Sequence, residues 1–331
     1  MAVQSSVDEA MVEAAALEWF AEMGYRIGHA LTPDAEAPGA ERRGYAEVVL
    51  TERLRSAIAR VNPTLPVATQ EQAVSQALRV DGPGLVARNR NFHKLLVEGV
   101  PVQVTRADGA IAGETVRLVD FAHPERNDWF VANQITFREG GNERRTDIIV
   151  FLNGLPVALI ELKNPLDDNA TLQGAFNQLQ TYKAEFPALF VYNELLVVAD
   201  GREARVGALT ADWARFMPWK TIDGTEPIAG GMWELEVLIK GVFQRERFLD
   251  LLQHFIVFET DGVQVGKKMA AYHQYHAVNK AVEATVLAAA ADGDRKAGVV
   301  WHTQGSGKSL TMVFYAGKMA RNAAMANPTL V

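Results

Sequence analysis

Two short apolar segments, residues 146–152 and 156–162, are joined through Asn153-Gly154. Both joining residues tolerate positive φ, so the unit reads as a tight antiparallel hairpin. Charged side chains are costly in such apolar strands unless they are paired or used. Yet Asp147 stands at the start of the first strand, and Glu161-Leu162-Lys163 closes the second. Antiparallel pairing around the turn brings the beginning of one strand beside the end of the other, so Asp147 and Glu161 converge. Residues i and i+2 share one face of a strand, which puts Glu161 and Lys163 on the same side. Two converging carboxylates make a hard-oxygen site suited to Mg²⁺. An adjacent lysine can orient a water or help deprotonate it, while the metal stabilises charge developing on a phosphodiester. An acidic residue, a gap and an E-x-K triplet also arise by chance, so the triplet alone leaves a purely structural reading open.

The surrounding pattern divides the chain. Helical periodicity covers 7–23, with Val7, Met11, Ala14, Ala15, Leu17 and Phe20 near one side and Gly24 as the stop. A Pro- and Gly-containing loop at 32–44 precedes helices expected over 45–60, 70–78 and 91–97. Strands follow at 101–106, 115–121 and 129–138, then the hairpin, a helix over 171–185 and a buried strand at 195–199. Residues 200–231 are loop-rich. Two helices are expected within 233–254 and one over 269–291, closed by Asp292-Gly293-Asp294. A strand at 298–301, a glycine loop, a helix over 308–324 and the start of a strand at 329–331 complete the pattern. So little chain cannot close an α/β sheet, and the sequence is expected to stop inside its second domain.

That second domain carries Val299-Val300-Trp301-His302-Thr303-Gln304-Gly305-Ser306-Gly307-Lys308-Ser309, which reads as strand, glycine loop and helix start. Backbone N–H groups of such a loop close around phosphate oxygens, and the helix N-terminus favours the anion. Lys308 would reach the β- and γ-phosphates of ATP, and Ser309 would hold Mg²⁺. Thr303, Gly305, Ser306 and Gly307 complete the expected loop. The full pattern has glycine where this chain has His302.

With 33 Lys and Arg against 40 Asp and Glu, the net charge is −7. A global excess of acid does not favour nucleic acid, but a basic channel can sit on an acidic protein. Hydrophobic residues make up 48%, enough for packed domains. The absence of cysteine excludes disulfides and thiolate metal sites, and favours a cytoplasmic location. No signal-peptide pattern and no apolar run long enough to span a membrane is present.

The string Thr146 through Pro156, followed by Ile160-Glu161-Leu162-Lys163-Asn164-Pro165, resembles the PD-(D/E)xK nuclease domain of type I restriction R subunits. Thr146 replaces the proline of the motif name, and proline has no ligand chemistry. Gln178-Leu179-Gln180-Thr181-Tyr182 is similar to the Q-x-x-x-Y element these subunits share with RecB-type nucleases. Gln178 and Tyr182 are four apart on one helix face, which is also the spacing of ordinary surface residues. Tyr272-His273-Gln274 resembles the Q-motif of superfamily 2 helicases. Gln274 would then read adenine; an ordinary helix glutamine is the competing reading. An acidic residue on an early helix is common in this nuclease core, and Glu13 is the candidate, against an exposed helix glutamate.

The resemblance covers nearly the whole chain. It implies a mixed α/β chain: a PD-(D/E)xK endonuclease domain over 1–260, then the start of a RecA-like motor over 261–331. It further implies Mg²⁺ and ATP as cofactors, double-stranded DNA as substrate, and methyltransferase and specificity subunits as partners. The acidic Walker B-type segment that holds Mg²⁺ in such motors, and the later helicase motifs, are not in the sequence, so the chain alone is not expected to translocate. A P-loop kinase would explain Gly305 to Ser309 but not Asp147, Glu161 and Lys163. A remnant that only binds nucleotide or DNA is the non-enzymatic alternative.

Overall fold

The structure is a computed structural model that describes residues 8–34, 36, 40–105, 111–164, 171–225, 232–301 and 303–325. The expectations that fall on Val7, Arg106, Pro165, His302 and residues 329–331 lie outside these.

The chain opens with α1 (Glu9–Glu22), capped by the Asp8 carboxylate, which accepts from the Met11 N–H at 2.9 Å. Its buried face is Val12, Ala16, Leu17 and Phe20, whereas Met11 is 46% exposed, so the apolar stripe lies one position round from the expected one. A short β1 (Arg26–His29) follows, then α2 (Thr51–Val61), α3 (Val67–Leu78) and α4 (Gly84–Glu98). The expected helix over 45–60 begins late because Arg42 holds the backbone ahead of it. The buried Arg42 guanidinium donates to the carbonyls of Glu47 (3.0 Å), Tyr45 (2.8 Å) and Thr136 (2.9 Å), so this backbone satisfies its acceptors outside a helix.

An antiparallel pair, β2 (Val100–Thr105) and β3 (Ile111–Val116), comes next. The strand expected at 115–121 ends early because side-chain amides take over its ladder. Asn62 bonds Arg117 at both backbone groups, each at 2.9 Å, and Asn153 donates to the Leu118 carbonyl at 2.8 Å.

The centre of the fold is a six-stranded mixed sheet. Its members are β1, β4 (Trp129–Glu139), β5 (Asn142–Leu152), β6 (Leu155–Leu162), β7 (Leu195–Ala199) and β8 (Ala204–Gly207), adjacent in that order. The β1–β4 and β6–β7 pairs are parallel and the others antiparallel. Between β6 and β7 the chain forms α5 (Leu172–Glu185) and α6 (Pro187–Val191). These cover one face of the sheet, where Phe130, Ile149, Phe151, Leu159 and Val198 pack with Leu179, Tyr182 and Phe190. The other face, with Val131, Ile148, Val150, Ile160 and Val197, belongs to a larger core shared with α1 to α4. A sheet buried on both sides explains why β6 and β7 are uninterrupted apolar runs.

The remaining described elements are α7 (Glu234–Val242), α8 (Arg245–His254), the hairpin β9 (Ile256–Asp261) and β10 (Gln264–Met269), α9 (Tyr272–Ala289) and α10 (Lys308–Ala320). The hairpin lies across position 260 and is fastened to the sheet by a fully buried ion pair: the Lys267 ammonium donates to the Glu194 carboxylate and, at 2.9 Å, to the Asn193 carbonyl. Residues 298–301 do not form the expected strand. No described strand pairs with them, and Val299 and Trp301 are 93% and 83% exposed. An apolar run reads as a strand only if a sheet receives it, and none of the described strands lies alongside. No described helix is long and apolar enough to cross a membrane.

Candidate active site

The hairpin of β5 and β6 is held at its turn from several sides. Asn153 and Gly154 have φ of 53° and 80°, the left-handed values a two-residue turn needs. The turn is buried. Asn153 donates to the Asn127 side chain at 2.9 Å, and the Leu50 N–H donates to the Gly154 carbonyl at 2.9 Å. A Cβ on Gly154 would lie 2.5 Å from the Leu50 oxygen, so this position accepts only glycine. One register shift, between Val150 and Phe151, lies near the turn; beyond it Ile148 stands opposite Ile160. The next pair along is Asp147 and Glu161, which therefore face each other on the side of the sheet covered by α5.

The two carboxylates differ. Asp147 is anchored, accepting from the Leu162 N–H at 2.7 Å. Burial raises it to about 6 despite that bond, and the charges of Glu9 and Glu13 add to the rise. Glu161 is 1% exposed. Burial, then the charge of Asp147, pushes it to about 8. Its Oε1 accepts from the Lys163 ammonium at 3.3 Å, while Oε2 is buried with no hydrogen-bond partner. A buried carboxylate oxygen left unpaired costs roughly 1–3 kcal/mol, more when charged. A cation is the partner that would offset both this and the repulsion from Asp147.

Lys163 also donates to Gln178 Oε1 at 2.8 Å. Gln178 Nε2 donates to the Tyr182 hydroxyl at 2.6 Å, and that hydroxyl donates to the Arg145 carbonyl at 3.3 Å. Burial and the Glu161 charge raise the Tyr182 hydroxyl to about 12, so it stays a donor. The structure thus gathers Asp147, Glu161, Lys163, Gln178 and Tyr182 into one connected group. Among the described residues no cluster of three or more His, Asp or Glu is arranged to hold a metal. Two carboxylates could hold an ion such as Mg²⁺, which keeps waters and takes phosphate oxygens.

Glu13 is half-buried and committed. Its carboxylate accepts from Asn133 Nδ2 at 2.6 Å and from Gln134 Nε2. Gln134 stands across from Asp147 with φ of 54°, a conformation that costs a side-chain-bearing residue about 1 kcal/mol or more. Sequence reasoning missed Gln134, and also Glu9 and Arg145. Arg145 alone carried a usable signal, lying two residues before Asp147 and so on the same strand face.

In the glycine loop, Gly305 and Gly307 take φ of 81° and 79°, and Gly307 is the N-cap of α10. Lys308 and Ser309 open that helix and are exposed. The Lys308 ammonium folds back to the Thr303 carbonyl at 3.1 Å, which also accepts from the Ser306 hydroxyl at 2.8 Å. Gln274 is buried and its amide is fully engaged. Oε1 accepts from the Ala271 N–H at 2.9 Å, and Nε2 donates to the Gly307 carbonyl at 3.1 Å and the Thr311 hydroxyl at 3.3 Å. In this structure Gln274 is a strut beneath the loop. A loop with two left-handed glycines running into a 13-residue helix has the form an anion site requires.

Comparison with known proteins follows the same division. Residues 6–215 match the family described as type I restriction enzyme R protein N terminus, and residues 273–331 match the family described as SWI2/SNF2 ATPase. The chain is 47% identical over 288 residues to the type I restriction enzyme HindI endonuclease subunit of Haemophilus influenzae strain KW20 / Rd; the match covers 86% of this chain and 27% of that protein. It is 32% identical over 348 positions to an endonuclease subunit of Methanocaldococcus jannaschii named for the type I restriction enzyme MjaIXP, covering 98% of this chain and 32% of the relative. The chain thus spans about a third or less of the length of these relatives. It belongs to the type I restriction enzyme R protein family and corresponds to the N-terminal part of its members.

Proposed function

We propose that this chain contributes the DNA-cleaving site and the ATP-binding loop of a type I restriction endonuclease. Residues 1–260 form a PD-(D/E)xK nuclease domain, and residues 261–331 begin a RecA-like motor. The observation that carries the nuclease reading is the facing pair Asp147 and Glu161, with one Glu161 oxygen buried and unpartnered beside Lys163.

Asp147 and Glu161 would hold Mg²⁺, which when bound stabilises negative charge on the scissile phosphodiester of double-stranded DNA. Lys163, fixed between Glu161 and Gln178, would orient the attacking water. Gln178 and Tyr182 keep the lysine in place. At the second site, Lys308 would exchange its contact with Thr303 for the β- and γ-phosphates of ATP. Thr303, Gly305, Ser306 and Gly307 would wrap the phosphates, and Ser309 would hold the nucleotide's Mg²⁺. Gln274 supports Gly307 from below, and reading adenine would require its amide to change partners. In the complete subunit, ATP hydrolysis drives movement along DNA, in a cytoplasmic complex with methyltransferase and specificity subunits.

The experiment is a pair of measurements on the complete endonuclease subunit in its complex. Asp147→Ala, Glu161→Ala and Lys163→Ala each abolish DNA cleavage and spare ATP hydrolysis. Lys308→Ala removes ATP hydrolysis, and cleavage falls with it because the nuclease acts after movement. Equal loss of ATPase in all four well-folded variants would sink the two-site reading. Wild-type ATPase in Lys308→Ala would show that the loop is not the hydrolytic site.

A further inference from the structure

Arg145 precedes Asp147 by two residues in β5, so both side chains leave the sheet on one side. The nearby arginines are committed: Arg138 pairs with Glu143, and Arg144 Nε lies 2.9 Å from Glu185. The Arg145 guanidinium is exposed and has no side-chain partner among the described residues. It lines an open cleft of about 430 Å³ together with Glu9, Glu13, Gln134 and Asn164. Glu9 and Glu13 are the acids whose charges reach Asp147, so the cleft adjoins the two carboxylates. Among the described lining residues Arg145 is the one cation, and it forms an ion pair with none of the described acids Asp8, Glu9 and Glu13.

Its backbone, in contrast, is fixed. The Arg145 carbonyl is where the chain from Lys163 through Gln178 and Tyr182 ends. The base of this side chain is thereby tied to the lysine of the candidate site, while its charged end meets no side-chain partner among the described residues. A polyanion approaching a site rimmed by acids needs a positive contact beside the metal. A guanidinium presents two parallel N–H donors that match the oxygens of a phosphodiester.

We propose that Arg145 grips a backbone phosphate of the DNA strand beside the one held at Asp147 and Glu161. It is a binding residue: it fixes the position of the strand and takes no part in proton transfer. The proposal rests on the nuclease reading above.

The test measures binding of a short duplex of arbitrary sequence to the full chain in Ca²⁺, by fluorescence anisotropy across a salt series. Cleavage by the complete endonuclease subunit in its complex, with ATP and Mg²⁺ and at limiting and saturating DNA, is followed in parallel. Arg145→Ala weakens binding about tenfold, as expected for a hydrogen bond to a charged group. The slope of log K against log salt becomes shallower by about 0.9, the value of one lost phosphate contact. Arg145→Lys keeps the slope but loses part of the affinity, because an ammonium cannot form the parallel pair. Cleavage at saturating DNA stays near wild type. Unchanged affinity and slope in Arg145→Ala overturn the proposal, and so does a loss confined to the rate at saturating DNA. Asp147→Ala is the control: if it still cleaves, the nuclease reading itself fails, whereas an inactive Asp147→Ala with normal binding by Arg145→Ala removes only the Arg145 assignment.

Discussion

Replacing Glu161 with glutamine removes a negative charge from a position that is 1% exposed and faces a second carboxylate. In the unfolded chain this group titrates at its ordinary 4.5; in the fold it is pushed to about 8. The unfolded chain therefore releases its proton long before the folded one, and stability falls as pH rises from about 4.5, the loss being complete above about 8. At pH 7 the difference in proton binding corresponds to about 2.5 pKa units, or about 3 kcal/mol at 1.36 kcal/mol per unit. Glutamine avoids that cost, the attraction of Lys163 being already contained in the raised value, and its amide oxygen can still accept from the Lys163 ammonium that stands 3.3 Å away. The net expectation at pH 7, in chelator, is a gain of about 3 kcal/mol and a rise in Tm of a few degrees. At pH 4.5 the gain shrinks to about 0.4 kcal/mol, since the wild-type group is then protonated in the fold and half protonated in the unfolded chain. Added Mg²⁺ should raise the wild-type Tm and leave the variant unmoved, because only the wild type retains both carboxylates. Thermal unfolding followed by circular dichroism at the two pH values decides the matter. A variant that melts below wild type at pH 7, or gains as much at pH 4.5, would refute the account of Glu161 as a charge awaiting a cation.

Protons and Mg²⁺ should compete for the same oxygens. Apparent Mg²⁺ affinity, read from calorimetric titration, is expected to fall as pH drops from 8 to 6, through the values of Glu161 (about 8) and Asp147 (about 6); a flat profile contradicts this. Gln178→Ala and Tyr182→Ala should weaken cleavage without removing Mg²⁺ binding, and Tyr182→Phe should be milder because the ring stays packed; normal cleavage by both alanine variants at every Mg²⁺ concentration would make the helix purely structural. Lys267→Ala leaves the fully buried Glu194 charge without its ammonium and should cost about 3–5 kcal/mol, seen as a lower urea midpoint. The double variant Lys267→Met with Glu194→Leu should recover most of that loss, and a double variant as unstable as the single one would show that packing, not charge, is at stake.

What could be read from the sequence is what depends on near neighbours. The turn at Asn153-Gly154 announces itself because its two residues carry the left-handed φ locally; the one-residue register shift between Val150 and Phe151, which the sequence does not announce, then brings Asp147 opposite Glu161 rather than Ile160. Likewise the i, i+4 spacing of Gln178 and Tyr182 is enough to stack them on one helix face, and the buried strand Leu195–Ala199 is a plain apolar run. Other features are decided by contacts distant in sequence. The four-residue strands β1 and β8 have too few residues to show a period, and exist because a sheet edge receives them. The start of α2 depends on Arg42 reaching the carbonyl of Thr136, 94 positions away. Residues 298–301 carry a strand's composition and yet pair with no described strand, since a strand is a relation between two segments. Asp147 and Glu161 are visible in the sequence as residues, but their raised protonation is not. It arises from desolvation by α5 and the sheet, and from the charges of Glu9 and Glu13, which only the packing of α1 against β4 brings near.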